Sequence, residues 1–86
     1  MIKVYTAEGC PWCTKAKTYL KTKGIAFQEL NIEKDEKARD EMVQKSSQRG
    51  VPVLDIDGSI IIGFNKPAID EAININKEVA MQLPYL

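Results

Sequence analysis

The chain has 86 residues, with 12 basic and 12 acidic side chains and no histidine, so its formal net charge is zero. A neutral chain lacks the positive surplus that nucleic-acid binding requires, and no apolar stretch approaches the roughly 20 residues that span a bilayer. Apolar residues make up 44% of the chain, which is enough for a core. We therefore expect one cytoplasmic domain over residues 1–76 without a signal peptide, and over 77–86 an extension of its last helix or a tail.

Hydrophobic periodicity and turn residues predict the element order β-α-β-α-β-β-α. The predicted elements are a strand over 2–6, a helix over 11–23, a strand over 26–32, a helix over 36–47, hairpin strands over 53–56 and 59–62, and a helix after Asn65. Pro11 suits a first helical position, and Asp35 suits a helix N-cap. Asp57-Gly58 is a typical hairpin turn. A parallel strand–helix–strand unit followed by a hairpin gives an α/β fold, with a mixed four-stranded sheet flanked by three helices.

Cys10 and Cys13 are separated by Pro11 and Trp12, at the point where the first strand gives way to the first helix. The positive end of a helix and its free N–H groups favour a thiolate, although the nearby carboxylate of Glu8 opposes this effect. Cys10 precedes the helix and Cys13 lies inside it, so we assign Cys10 as the attacking thiolate and Cys13 as the resolving thiol. Trp12, the single tryptophan, is expected to flank the site as an apolar platform for the incoming disulfide.

Two other interpretations of the cysteine pair are weaker. Half of a zinc site is one, but the chain has no further cysteine and no histidine to complete four ligands. A pair of buried structural thiols is the other, but a Cys-x-x-Cys pair in a strand–helix–strand pattern is more typical of a redox site. We therefore expect a redox-active pair, no metal site and no bound cofactor.

Residues 2–75 resemble a glutaredoxin. The resemblance is carried by the Cys-Pro-Trp-Cys run at 10–13, by Val51-Pro52 before the hairpin and by Gly63 before the last helix. It implies a thioredoxin-like fold with strand order 2-1-3-4, and a dithiol thiol–disulfide oxidoreductase acting on protein or glutathione mixed disulfides. It also implies a cis Val51–Pro52 bond facing the cysteines, which lets the Val51 backbone pair with an extended substrate. A proline that simply opens an edge strand is the alternative.

The resemblance leaves the electron donor open. Glutathione-using members often carry a Lys three residues before the first Cys, a Thr before Val-Pro, and Gly-Gly followed by a Cys/Asp or Asp/Asp pair. The matching positions here are Ala7, Gly50 and the Gly-Phe-Asn-Lys run at 63–66. Gly63-Phe64 resembles instead the redoxins that serve ribonucleotide reductase and are usually reduced by thioredoxin reductase, although those usually lack Pro-Trp between their cysteines. Glutathione as co-substrate and thioredoxin reductase as donor are thus both implied.

The candidate substrate-binding residues are Pro11, Trp12, Arg49, Val51, Pro52, Gly63, Phe64 and Asn65. Arg49 is either a substrate contact or a solvated charge, and Phe64 either lines a pocket or fills the core. For Asn65 we favour a simple N-cap over a contact in which the start of the last helix faces a carboxylate. The expected partners are disulfide-containing or glutathionylated proteins. We expect the protein itself to be a monomer.

Two functions of other classes remain open. Some members of the family bind an iron–sulfur cluster between two chains with glutathione as an extra ligand, although cluster binders more often have Gly where this chain has Pro11. A non-enzymatic redox sensor that docks a partner when oxidised is the weaker possibility.

Charge is unevenly distributed along the neutral chain. Residues 1–28 carry five lysines and one acid, whereas residues 50–86 carry five acids and two lysines. We expect a weak field that favours thiolate at the cysteines and offers less to an anionic tripeptide beside the last helix. The mixed charges over 33–45 are interpreted as a solvated helix face.

Overall fold

The computed structural model describes residues 2–73, so the predicted C-terminal extension at 77–86 lies outside the described residues. The elements are β1 (Ile2–Thr6), α1 (Pro11–Thr22), β2 (Gln28–Asn31), α2 (Glu36–Ser46), β3 (Val53–Ile56) and β4 (Ser59–Ile62), followed by a helix α3 over 66–73. The predicted order β-α-β-α-β-β-α is confirmed.

The sheet has the order β2-β1-β3-β4. β1 and β2 are parallel, and the pairs β1–β3 and β3–β4 are antiparallel. This mixed four-stranded sheet with three helices is the thioredoxin-like fold that the resemblance implies. β1 is one of the two inner strands of the sheet, and a short loop connects it to the cysteine pair. The site is therefore attached to a strand that is hydrogen-bonded on both sides.

Local signals determine where several elements begin. The Asp35 side chain caps α2 by accepting from the N–H groups of Lys37 at 3.0 Å and Ala38 at 3.2 Å. In the hairpin turn, Asp57 and Gly58 both adopt positive φ, at 50° and 99°, as a two-residue hairpin of this type requires. These are the positions at which the sequence predicted a cap and a turn.

Strand β2 is shorter than the predicted strand over 26–32. Its pairing with β1 runs only from Gln28, opposite Lys3, to Asn31, opposite Thr6. Phe27 instead packs against the hydrophobic core before the ladder begins. The alternating apolar pattern therefore continued beyond the residues that pair.

The core has two layers because successive strand residues point to opposite faces of the sheet. The layer facing α1 and α3 contains Val4, Ala16, Leu20, Leu54, Ile56, Ile61, Ile69, Ala72 and Ile73. The layer facing α2 contains Tyr5, Ala38, Met42 and Val53. Among residues 2–73, no helix has the length and apolar character needed to cross a membrane.

The charges of α2 are not all on a solvated face, contrary to the expectation for 33–45. Lys45 Nζ donates to Glu41 at 2.8 Å, to Asp55 at 2.6 Å and to the Tyr5 hydroxyl at 2.9 Å. Lys3 Nζ also reaches Glu41, at 3.1 Å. These bonds join α2 to β1 and β3, and the hydroxyl of the buried Tyr5 takes part in them.

Candidate active site

The loop after β1 brings the first cysteine to the start of α1. Gly9 has φ +69°, a left-handed conformation that glycine adopts without strain. Cys10 follows as the N-cap of α1 in extended backbone, and Pro11 occupies the first helical turn. The predicted placement of the pair at a helix N-terminus is therefore observed.

The two cysteines are joined to each other but differ in exposure. They form a disulfide with a Cα–Cα distance of 5.3 Å, and Cys10 Sγ accepts a hydrogen bond from the Cys13 N–H at 3.1 Å. Cys10 is half-buried, whereas Cys13 is 2% exposed. Cys10 is therefore the more accessible of the two cysteines.

An apolar groove lies beside the pair. Its volume is about 270 Å³, and it is lined by Trp12, Val51, Pro52, Gly63 and Phe64. The Trp12 side chain is 55% exposed, and its ring centroid lies 6.4 Å from that of Phe64. We call this the Trp12 groove. Five of the eight candidate substrate-binding residues meet in it.

The Val51–Pro52 peptide bond is cis, as the resemblance implies. The Gly63 N–H donates to the Pro52 carbonyl at 2.8 Å, which ties the two segments of the groove together. Within residues 2–73, no group hydrogen-bonds the N–H or C=O of Val51. These are the groups that the resemblance expects to pair with an extended substrate.

Phe64 and Asn65 each act structurally. The Phe64 ring lines the groove, packs against the core layer of α1 and α3, and lies 5.7 Å from the Tyr19 ring. The Asn65 side-chain oxygen accepts from the Ala68 N–H at 3.2 Å, which makes it the N-cap of α3. Phe64 thus combines the two alternatives given for it, and Asn65 has the cap role that we favoured.

Pro11 and Arg49 do not line the Trp12 groove. Pro11 is exposed at the start of α1. Arg49 lines a separate cavity of about 440 Å³ on α2, together with Arg39, Asp40, Val43 and Gln44.

A larger polar groove lies beside the cysteines as well. It measures about 580 Å³ and is lined by Ala7, Glu8, Gly9, Cys10, Pro11, Cys13, Thr14, Lys17, Glu29 and Asn31. We call it the Glu29 groove. Lys17 Nζ lies 3.0 Å from Glu29, which also accepts from the Thr6 hydroxyl at 2.9 Å. The hydrogen bond from Lys17 is the main cause that lowers the pKa of Glu29.

Sequence reasoning did not place Glu29 beside the cysteines. The predicted parallel pairing of the first two strands could have indicated this position, since the carboxyl ends of parallel strands meet at one edge of a sheet. Glu29 lies opposite Val4 in that register, two residues before the end of each strand.

No group of three or more His, Cys, Asp or Glu side chains that could hold a metal ion occurs within residues 2–73.

A central strand leading to a cysteine pair at a helix N-terminus, with a cis-proline beside it, defines a thioredoxin-fold thiol–disulfide oxidoreductase. A family model for glutaredoxin matches residues 2–61. The chain belongs to the glutaredoxin family, as the resemblance predicted.

Individual relatives agree with this assignment. The chain is 55% identical over 73 residues to a glutaredoxin-like 8.6 kDa protein in the rubredoxin operon of Clostridium pasteurianum, with 85% of this chain and 97% of that one covered. It is 42% identical over 62 residues to glutaredoxin 3 of Escherichia coli, covering 72% and 75%. The crystal structure of a glutaredoxin from Archaeoglobus fulgidus superposes with a TM-score of 0.77 at 25% identity, covering 84% of each chain.

Proposed function

We propose that this glutaredoxin reduces protein or glutathione mixed disulfides through Cys10 as nucleophile and Cys13 as resolving thiol. The observation that carries the proposal is the unequal exposure of two sulfurs that share one helix N-terminus. Cys10 is half-buried in front of α1, whereas Cys13 is 2% exposed within it. Only Cys10 is therefore open to a bulky disulfide, while Cys13 attacks from within the same turn.

The reaction has two exchange steps. In the first, the Cys10 thiolate bonds to one substrate sulfur and the other leaves as a thiolate, which takes a proton from water. In the second, the Cys13 sulfur, having given up its proton, bonds to Cys10 Sγ and releases the remaining substrate thiolate, which is protonated in turn. The substrate disulfide gains two electrons and two protons, and the enzyme dithiol becomes the Cys10–Cys13 disulfide.

The N-terminus of α1 assists both steps. The Cys13 N–H points to Cys10 Sγ at 3.1 Å, and the positive end of the helix dipole acts on the same sulfur. Negative charge on Cys10 is thus stabilised when it attacks and again when it leaves. In the Trp12 groove, the Val51 backbone pairs with the extended substrate while Trp12 and Phe64 cover its apolar part.

An external donor closes the cycle by supplying two electrons and two protons. We propose glutathione for this step, with thioredoxin reductase as the alternative. The alternative is supported by Ala7 and Gly50, which lack side chains that hold a carboxylate. Asn65 is engaged as a helix cap. We further propose that the protein works as a monomer in the cytoplasm, where thiols are kept reduced.

The donor is tested by following NADPH consumption with oxidised protein. One reaction contains glutathione and glutathione reductase, and the other contains thioredoxin reductase. Turnover in the first alone supports glutathione, turnover in the second alone overturns it, and Cys10→Ser protein should be inactive in both. Activity of Cys10→Ser equal to that of the unchanged protein would contradict the assigned nucleophile.

A further inference from the structure

A lysine stands over the exposed tryptophan of the active site. Lys15 Nζ lies 4.3 Å from the centroid of the Trp12 ring, a distance typical of a cation–π contact. Trp12 is one wall of the Trp12 groove, so the ammonium group of Lys15 lies against a residue that lines it. Within residues 2–73, no carboxylate lies within 4.0 Å of Lys15 Nζ.

The charges at the Glu29 groove are arranged differently. Lys17 is paired with Glu29 at 3.0 Å, and Glu8 is paired with Lys34 at 3.1 Å. Both acids that line this groove are therefore balanced by a lysine. The five residues that line the Trp12 groove carry no charge of their own, and Lys15 adds a positive charge beside one of them, Trp12.

A second lysine lies beside the aromatic rings that continue from Trp12 through Phe64 to Tyr19. Lys66 Nζ is 5.3 Å from the centroid of Tyr19, whose ring packs against Phe64 at 5.7 Å. The acid in this neighbourhood is Asp70, which accepts from the Tyr19 hydroxyl and pairs with Lys23 at 3.3 Å. Lys66 adds positive charge near Tyr19, but the carboxylate of Asp70 offsets part of it. Lys15 is therefore the better residue to test.

We propose that Lys15 is a specificity-determining residue that favours peptide disulfides with a carboxylate next to the disulfide bond. This inference rests on the proposed function, because it concerns the substrate held in the Trp12 groove. The groove has a volume of about 270 Å³, and a carboxylate on a peptide segment bound against Trp12 would come close to the ammonium over that ring. Opposite charges at the edge of a binding site chiefly raise the rate at which substrate and enzyme associate productively, and salt weakens the effect.

The structure changes the expectation drawn from charge distribution. The acidic segment over 50–86 led us to expect less for an anionic tripeptide on this side of the site. Lys15 and Trp12, however, both lie on α1, three residues apart, and the lysine ammonium stands over the Trp12 ring. The groove residues that precede β3 or follow β4 therefore face a tryptophan that carries a cation of the basic N-terminal segment.

The test uses three peptide disulfides of equal length, in which the residue after the disulfide-bonded cysteine is Asp, Ser or Lys. Steady-state kcat/KM is measured for each at low and high salt. The unchanged protein should prefer the Asp peptide over the Lys peptide, and high salt should reduce the preference. Lys15→Gln should shrink the Asp-over-Lys ratio by about two- to five-fold, as expected for one exposed charge pair.

Two controls separate charge from packing. Lys15→Arg keeps the cation and should keep the preference. Lys37→Gln removes the same charge from the exposed start of α2 and should also keep it. An unchanged ratio in Lys15→Gln overturns the inference, as does an equal loss with all three peptides, which would mean that Lys15 only supports Trp12. If the unchanged protein reduces none of the peptides, the proposed function fails instead.

Discussion

At the scale of single residues, the site separates two chemically identical side chains by where each lies relative to the first turn of α1. Cys10 precedes the helix and Cys13 lies within it. Cys10 is therefore partly exposed to solvent, whereas Cys13 is buried. The Cys13 N–H then supports negative charge on Cys10. Position along the backbone, rather than a neighbouring base, is therefore the basis on which we propose the two roles.

Trp12 is predicted to contribute to substrate binding more than to stability. Its side chain is 55% exposed, so Trp12→Ala should leave the unfolding midpoint nearly unchanged. Loss of the aromatic wall should lower kcat/KM for a small mixed disulfide by about two- to ten-fold, mainly through KM, as expected for one aromatic contact.

Ile62 provides the matched control. It is similarly exposed, at 53%, but does not line the Trp12 groove. Ile62→Ala should therefore leave kcat/KM unchanged. Equal losses in both variants would show that Trp12 acts through general surface packing and not as a wall of the groove.

At the scale of the elements, the N-cap of α3 can be told apart from a substrate contact. Asn65→Ala should lower the free energy of unfolding by about 1 kcal/mol, because the Ala68 N–H loses its partner. Asn65→Ser should restore most of that loss in a denaturant titration. Both variants should keep the KM of the unchanged protein. A raised KM in both would indicate that the side chain contacts substrate.

Most elements were predictable because their signals are local. The bounds of β1, β3 and β4 agree with the predicted strands, and α1 and α2 each end one residue earlier than predicted. Pro11, Asp35 and the Asp57-Gly58 turn act within a few residues of themselves. The strand at 26–32 was overextended because alternation alone does not reveal where a neighbouring strand stops pairing.

The side-chain surroundings of the site were less predictable, because they depend on pairing over long distances in sequence. Cys10, Cys13, Trp12 and the cis-proline followed from a recognisable motif. Glu29 reaches the cysteines only through the parallel register of β1 and β2. Arg49 was a candidate from its place before Val-Pro, but it lines a cavity of α2, which the linear spacing does not show.

At the scale of the whole molecule, the polar contacts between α2 and the sheet make stability depend on pH. Hydrogen bonds from Lys45, Tyr5 and Lys3 lower the pKa of Glu41 from 4.5 to about 2. A carboxyl with a lowered pKa in the folded state stabilises it above its ordinary pKa. That contribution should be lost progressively as the pH falls from about 4.5 toward 2.

Glu41→Gln tests this account. The variant should be less stable than the unchanged protein at pH 7, because Lys45 and Lys3 lose their shared partner. The difference in unfolding midpoint should narrow as the pH approaches 2. Glu33→Gln alters an exposed carboxylate with no lysine or arginine within 4.0 Å among residues 2–73, and serves as the control. A difference for Glu41→Gln that stays constant with pH would contradict the ion-pair account.

The assignment of Cys10 as the nucleophile is tested most directly by trapping the mixed disulfide. Reduced Cys13→Ser and Cys10→Ser proteins are each incubated with a peptide disulfide at neutral pH, and intact mass is followed over time. Cys13→Ser should accumulate a peptide adduct on Cys10 quickly and stoichiometrically, because no resolving thiol removes it. Cys10→Ser should react slowly, since Cys13 is 2% exposed. Rapid adduct formation on Cys13, with a slow reaction at Cys10, would contradict the assigned roles.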